Sequence, residues 1–300
     1  MPPVLTLQGI SKNYGSIRAL NLVSFEVPEG SVFGILGPNG SGKTTLLSIV
    51  MDILVPTSGS FRLFGEWPTE IQRRRIGTLL ETPNFYHYLS GKDNLVIASR
   101  IKEKGFGDID KVLEIVGLTQ RRNSRFNTYS LGMKQRLAIA ASLIGDPSVL
   151  VLDEPTNGLD PVGIAEIREL IRQLAQEGKT IIMASHLLDE VEKVCTHVAI
   201  LKTGELLADG PVDEVLVNED LLDIGAADLG KLKEVMQDYP GLGSLKESGN
   251  LLTAGFTSGI SPGEVNQYCF SRGVVLTQLR IRKRSLESKF IELISSPKTR

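Results

Sequence analysis

The sequence predicts an α/β fold with an inserted α-helical subdomain and a small C-terminal α+β unit. Short apolar runs rich in Val, Ile, Leu and Phe alternate with longer stretches of helical period. Several of these runs are apolar throughout, as in parallel strands covered on both faces. After about residue 216 the order of elements changes.

In chain order the strand candidates are "VLTLQGI" from Val4, "SVFGIL" from Ser31, "RIGTLLE" from Arg75, "SVLVLD" from Ser148, "TIIMAS" from Thr180 and "HVAILK" from His197. Between about 86 and 145 the pattern is wholly helical, which predicts the inserted subdomain. Asp160 and Pro161 suit the cap and first position of a helix whose Ile164, Ile167, Ile171 and Leu174 share one face until Gly178. Lys202, Thr203 and Gly204 read as a hairpin turn, and the main domain is expected over 1–216. Residues 217–300 then read as βαββαβ, a ferredoxin-like order, followed by a last helix "SLESKFIELIS" from Ser285.

Composition narrows the function classes. With 41% hydrophobic residues in 300, the chain can bury a large core, which excludes disorder. Its 33 basic and 35 acidic residues leave a net charge of −2, so no global field draws it to nucleic acid, and none is expected as a partner. Cys195 and Cys269 have no metal-ligand spacing, which fits buried thiols in a reducing compartment. No apolar run reaches the ~18 residues of a spanning helix and no targeting segment is evident. A cytoplasmic location is expected unless a partner holds the chain at a membrane.

Three stretches carry chemistry. "GPNGSGKTT" (Gly37, Pro38, Asn39, Gly40, Ser41, Gly42, Lys43, Thr44, Thr45) has the G-x-x-x-x-G-K-[ST] spacing between an apolar strand and a helical run to about Leu54. Its backbone N–H groups would cradle phosphates, Lys43 would neutralise them, and the Thr44 hydroxyl would ligate Mg²⁺. "SVLVLDEPT" ends a strand in two carboxylates, Asp153 to support the metal and Glu154 to accept a proton from, or polarise, an attacking water. His186 ends another strand; a lone histidine is often structural, but here it is placed to reach a γ-phosphate. In "YSLGMKQR", from Tyr129, Ser130 and Gly132 open a helix N-terminus suited to an anion, and Leu137, Ala140, Ala141 and Ile144 give that helix one packed face.

Together these residues resemble the ATP-binding cassette of ABC transporters, a P-loop NTPase fold, from residue 4 to about 210: Walker A at "GPNGSGKTT", the signature at "YSLGMKQR", Walker B at "VLVLDEP", the D-loop at "NGLD" and the switch at His186. The resemblance implies ATP as ligand and a head-to-tail dimer with a second ATP-binding subunit, identical or not, in which one protomer's Ser130 and Gly132 cap the ATP held by the other's Walker A. It also implies that Tyr14 stacks on adenine and that Asp160 communicates across the dimer. Glu81 stands where the family commonly has the Q-loop glutamine, so it either alters hydrolysis or faces solvent. The "E-x-P-x-F-Y" form there, the "SLGMKQRL" signature and the terminal "SLE" element resemble bacitracin-type and lantibiotic-immunity exporter cassettes. Transmembrane permease subunits on separate chains, at the inner face of the cell membrane, are implied. A soluble cassette ATPase acting on ribosomes or DNA is the alternative. The basic stretches Arg73–Arg75 and Arg280–Arg284 read as solvated surface, or as a contact for lipid headgroups or nucleic acid.

Overall fold

The computed structural model describes residues 2–80, 84–104, 107–215, 221–256 and 261–282. The chain divides into two compact units, Met1–Val215 and Leu216–Arg300.

In the first unit, β1 (Leu5–Tyr14), β2 (Ile17–Val27) and β4 (Ser58–Leu63) form an antiparallel sheet in the order β2-β1-β4. The opening run at Val4 therefore belongs to this separate antiparallel layer. A second sheet joins β3 (Val32–Leu36), β5 (Ile76–Leu79), β6 (Val149–Asp153), β7 (Thr180–Ser185), β8 (His197–Lys202) and β9 (Glu205–Pro211) in the order β5-β6-β7-β3-β8-β9. All its pairs are parallel except β8 with β9, which are joined through Thr203 and Gly204, both at positive φ (46° and 80°), the primed turn that suits strand twist. Strands β3, β6 and β7 are buried along their whole length, as their unbroken apolar sequences require. Phe25 of β2 stacks on Phe33 of β3, with centroids 5.2 Å apart, within the core the two sheets share.

Helix α1 (Lys43–Val50) buries Leu46, Leu47, Ile49 and Val50. It stops short of the predicted Leu54, because Asp52 turns to φ 66°. After α2 (Glu70–Arg73), the chain enters the helical insertion of α3 (Gly91–Ile101), α4 (Asp108–Ile115) and α5 (Leu131–Leu143). The expected single packed face of α5 needs correction: Leu137, Ala140 and Ile144 are buried and Ala141 only half-buried, while Ala138, Ile139, Ser142 and Leu143 are buried as well. Its C-terminal half is enclosed all round, as a core helix is.

Helix α6 (Pro161–Gln176) is capped by the Asp160 side chain, which accepts from Gly163 N at 2.8 Å, and buries Ile167, Leu170, Ile171 and Leu174. Ile164 is half-buried, and Gly178 ends the element at φ 90°. Helices α7 (Leu188–Val194) and α8 (Val212–Val215) complete the unit. Arg73 pairs with Asp52, Arg74 with Glu70 and Glu103, and Arg75 lies over the Phe64 ring, so this basic run is tied down by neighbours.

The second unit runs β10 (Leu221–Ala226), α9 (Leu229–Gln237), β11 (Leu242–Ser248), β12 (Leu251–Phe256), α10 (Pro262–Ser271) and β13 (Leu276–Arg282). Its antiparallel sheet has the order β11-β12-β10-β13, the ferredoxin-like arrangement. Leu222, Ile224, Leu232, Met236, Leu252, Val265 and Cys269 form its core. Cys195 and Cys269 are both free and buried, and burial pushes the Cys195 thiol up to about 12. The last predicted helix, from Ser285, lies outside the described residues, as do Glu81, Thr82 and Pro83.

Candidate active site

The site lies at the carboxyl ends of three adjacent parallel strands, β6, β7 and β3, where an open α/β sheet offers a crevice. Between β3 and α1 the loop Gly37–Gly42 folds tightly. A Cβ on Gly37 would strike the Leu201 carbonyl oxygen and lie 2.5 Å from Ser41 Oγ. Gly42 has φ 103°, and a Cβ there would lie 2.6 Å from the Ala19 carbonyl oxygen. Glycine is required at both positions for this close approach. Gly204 N donates to Ser41 O at 3.0 Å, so the β8–β9 turn braces the loop from behind. The result is a cleft of about 330 Å³ lined by residues 39–45, Ala19 and Glu154. The first-turn N–H groups of α1 have no intrahelical acceptor and form part of its wall.

Side chains converge on this cleft. Lys43 is 5% exposed; its Nζ donates to Gly37 O at 2.8 Å and Pro38 O at 3.3 Å and lies 3.4 Å from Glu154 Oε1. The Thr44 hydroxyl donates to Asp153 Oδ2 at 2.7 Å. The other Glu154 oxygen, Oε2, lies 2.7 Å from His186 Nδ1. Glu154 takes φ 48°, a left-handed conformation rare outside glycine, while its N–H donates to Ala184 O on β7 at 3.0 Å. Walls of backbone donors, a buried ammonium and paired carboxylates suit a polyphosphate.

The same residues fit a magnesium ion. Thr44 and Asp153 offer hard oxygens side by side, and among the described residues no group of three or more His, Cys, Asp or Glu side chains is arranged to hold a metal. An ion here would share its shell with phosphate oxygens and water, as Mg²⁺ does.

A model of the ABC transporter family matches residues 20–157. The bacitracin transport ATP-binding protein BcrA of Enterococcus faecalis is 34% identical over 98% of this chain and 97% of its own. BcrA of Bacillus licheniformis is 35% identical over 98% of each. The chain belongs to the ATP-binding subunits of ABC transporters. The lantibiotic transport ATP-binding protein SrtF of Streptococcus pyogenes is 38% identical over 73% of the cassette chain and 98% of its own. Among solved structures, cbiO1 of Clostridium perfringens, part of the ABC transporter complex cbiONQ, superposes with a TM-score of 0.66 at 29% identity, over 80% of this chain and 97% of that one. The chain is thus an ATP-hydrolysing cassette of a transporter. No described helix is long and apolar enough to cross a membrane.

Other cassette motifs stand away from this cleft. Ser130 caps α5, its hydroxyl accepting from Met133 N at 3.3 Å, and is exposed. Gly132 lies against Leu159, and Leu131 against Gly158, so the signature rests on the D-loop of its own chain. Asp160 caps α6, and Tyr14 ends β1, 46% exposed, with the Lys12 ammonium 5.3 Å from its ring centroid. None of these lines the cleft.

Several supports were not legible in the sequence. Tyr129, first residue of the signature, is buried; its hydroxyl donates to Arg121 O at 2.8 Å, and its ring fits only because position 91 is glycine. Burial holds this hydroxyl above its ordinary pKa. Lys102 donates to Ala141 O at 2.7 Å and Ser142 O at 3.2 Å at the end of α5, and burial lowers its pKa to about 8. Neither contact belongs to a spacing motif, since both are made across the fold.

Proposed function

We propose that the chain drives export of a peptide antibiotic through separate membrane subunits, and that Lys43, Thr44, Asp153, Glu154 and His186 carry its ATP hydrolysis. The observation that supports this most strongly is the continuous link from Lys43 through Glu154 to His186 beside the Thr44–Asp153 pair. Lys43 supplies positive charge to the phosphates, with Gly37, Pro38, Asn39, Gly40, Ser41, Gly42 and Thr45 shaping the cradle. Glu154 accepts the proton of the attacking water, and His186 orients that carboxylate. Thr44 and Asp153 would hold Mg²⁺, which neutralises charge on the phosphates when bound. Tyr14 would stack on the adenine, whose π face needs no particular base identity. Glu81 would adjust the rate of hydrolysis.

The exposed cap of α5 finds its anion in trans. Ser130 and Gly132 of one protomer would close on the nucleotide of another, with Asp160 near the seam, in a head-to-tail dimer of like or sister subunits. The chain would sit at the inner face of the membrane through its permease partners. The names of BcrA and SrtF favour bacitracin-like or lantibiotic cargo over the alternative of ribosomes or DNA.

Affinity purification of the full chain from detergent-solubilised cells tests this reading. A multi-span hydrophobic partner and bacitracin-stimulated ATP turnover of the complex are expected. Nuclease-sensitive co-sedimentation with ribosomes or DNA, without such a partner, would overturn it.

A further inference from the structure

His186 depends on the short helix behind it for its position. The residue sits directly ahead of α7, a helix of only seven residues whose N-cap is Leu187, with no side-chain cap bond. A helix that short and uncapped is marginal by itself, yet it must hold an imidazole 2.7 Å from Glu154.

Helix α6 supplies what is missing. Arg168 Nη2 lies 3.0 Å from Glu190 Oε1 in the first turn of α7, with the two side chains 17% and 4% exposed. One helical turn later on the same face of α6, Arg172 Nη2 donates to the Lys193 carbonyl at 2.7 Å, satisfying an acceptor in the last turn of α7. The two arginines grip both ends of the short helix. Burial works against ionised Glu190 and raises its pKa, while Arg168 opposes that shift, so the partners depend on each other. Because Asp160 caps α6, the clamp also joins the D-loop helix to the helix behind His186.

We propose that Arg168 and Arg172 are positioning residues for hydrolysis, clamping α7 so that His186 stays on the Glu154 carboxylate. The inference rests on the assignment of Glu154 and His186 to hydrolysis. Removing both buried charges in Arg168→Met/Glu190→Leu leaves neither partner stranded, and such replacements commonly keep a fold stable.

ATP turnover of the full-length chain is measured for this double variant, with Glu154→Gln in the same series. The clamp predicts kcat at least three-fold lower with KM for ATP unchanged. At Arg172, 42% exposed, Arg172→Met gives the same readout without disturbing a buried charge, and Arg172→Lys should restore the rate. Kcat reduced less than three-fold in Arg172→Met and in the folded double variant, beside an inactive Glu154→Gln, would overturn the clamp alone. A Glu154→Gln chain that still turns over would overturn the underlying assignment instead.

Discussion

The Glu154 carboxylate touches His186 Nδ1 at 2.7 Å through one oxygen while its other oxygen lies 3.4 Å from Lys43 Nζ. A carboxylate held between an imidazole and an ammonium, on a residue with φ 48°, is fixed in orientation before any water arrives. Glu154→Gln keeps the shape and removes the carboxylate proposed to accept the proton of the attacking water. It should lower ATP turnover by roughly 10²-fold or more while nucleotide still binds; a phosphate-release assay beside a nucleotide titration checks both halves.

Lys43 is buried among the carbonyls of Gly37 and Pro38, where its charge is little screened. Lys43→Ala should therefore weaken ATP binding by roughly 10²-fold, the loss of a charge-assisted contact worth on the order of 2–3 kcal/mol. Titration with a fluorescent nucleotide measures it.

Tyr129 directly precedes the Ser130 cap of α5, and its ring packs against Gly91 and Phe126. Tyr129→Phe removes one of the two hydrogen bonds that the Arg121 carbonyl accepts, leaving that from Ser124 N, and should cost about 1 kcal/mol of stability. The check is a lower thermal midpoint with little change in nucleotide affinity.

Lys102 makes a distinct pH prediction. Its folded pKa of about 8 lies below the ordinary 10.5, so above about pH 8 the unfolded chain binds more protons than the folded one. Stability from this site therefore rises with pH between about 8 and 10.5, and burial of the charged form penalises the fold below that window. Urea unfolding of the parent and Lys102→Met at pH 7 and pH 10 should show the difference moving in the parent's favour by on the order of 2–3 kcal/mol.

The tight glycine loop ahead of α1, the Asp153–Glu154 strand end and the Asp160 cap were legible because each depends on residue types at fixed local spacing. The ferredoxin-like order of the second unit was legible for the same reason: Gly249 and Asn250 punctuate a hairpin, and Ser261 with Pro262 opens a helix. Strand β2 was hidden because Leu22, at φ 51° and 69% exposed, breaks the apolar alternation amid shifts of register against β1. The end of α1 was overrun because no Gly or Pro marks it. Helix α7 lacks a capping residue, and Arg168 meets Glu190 across 22 positions, so only folding brings that clamp together. Ser130 and Gly132 show the opposite case: their residue types predict an anion site, and in the single chain Ser130 caps α5 away from the cleft.

The proposed sharing of each nucleotide by two chains is read from the molar mass of Glu154→Gln by light scattering, with and without ATP. A monomer that becomes a dimer only with ATP is the predicted result. A chain that binds ATP yet stays monomeric would contradict a composite site built from this protein alone.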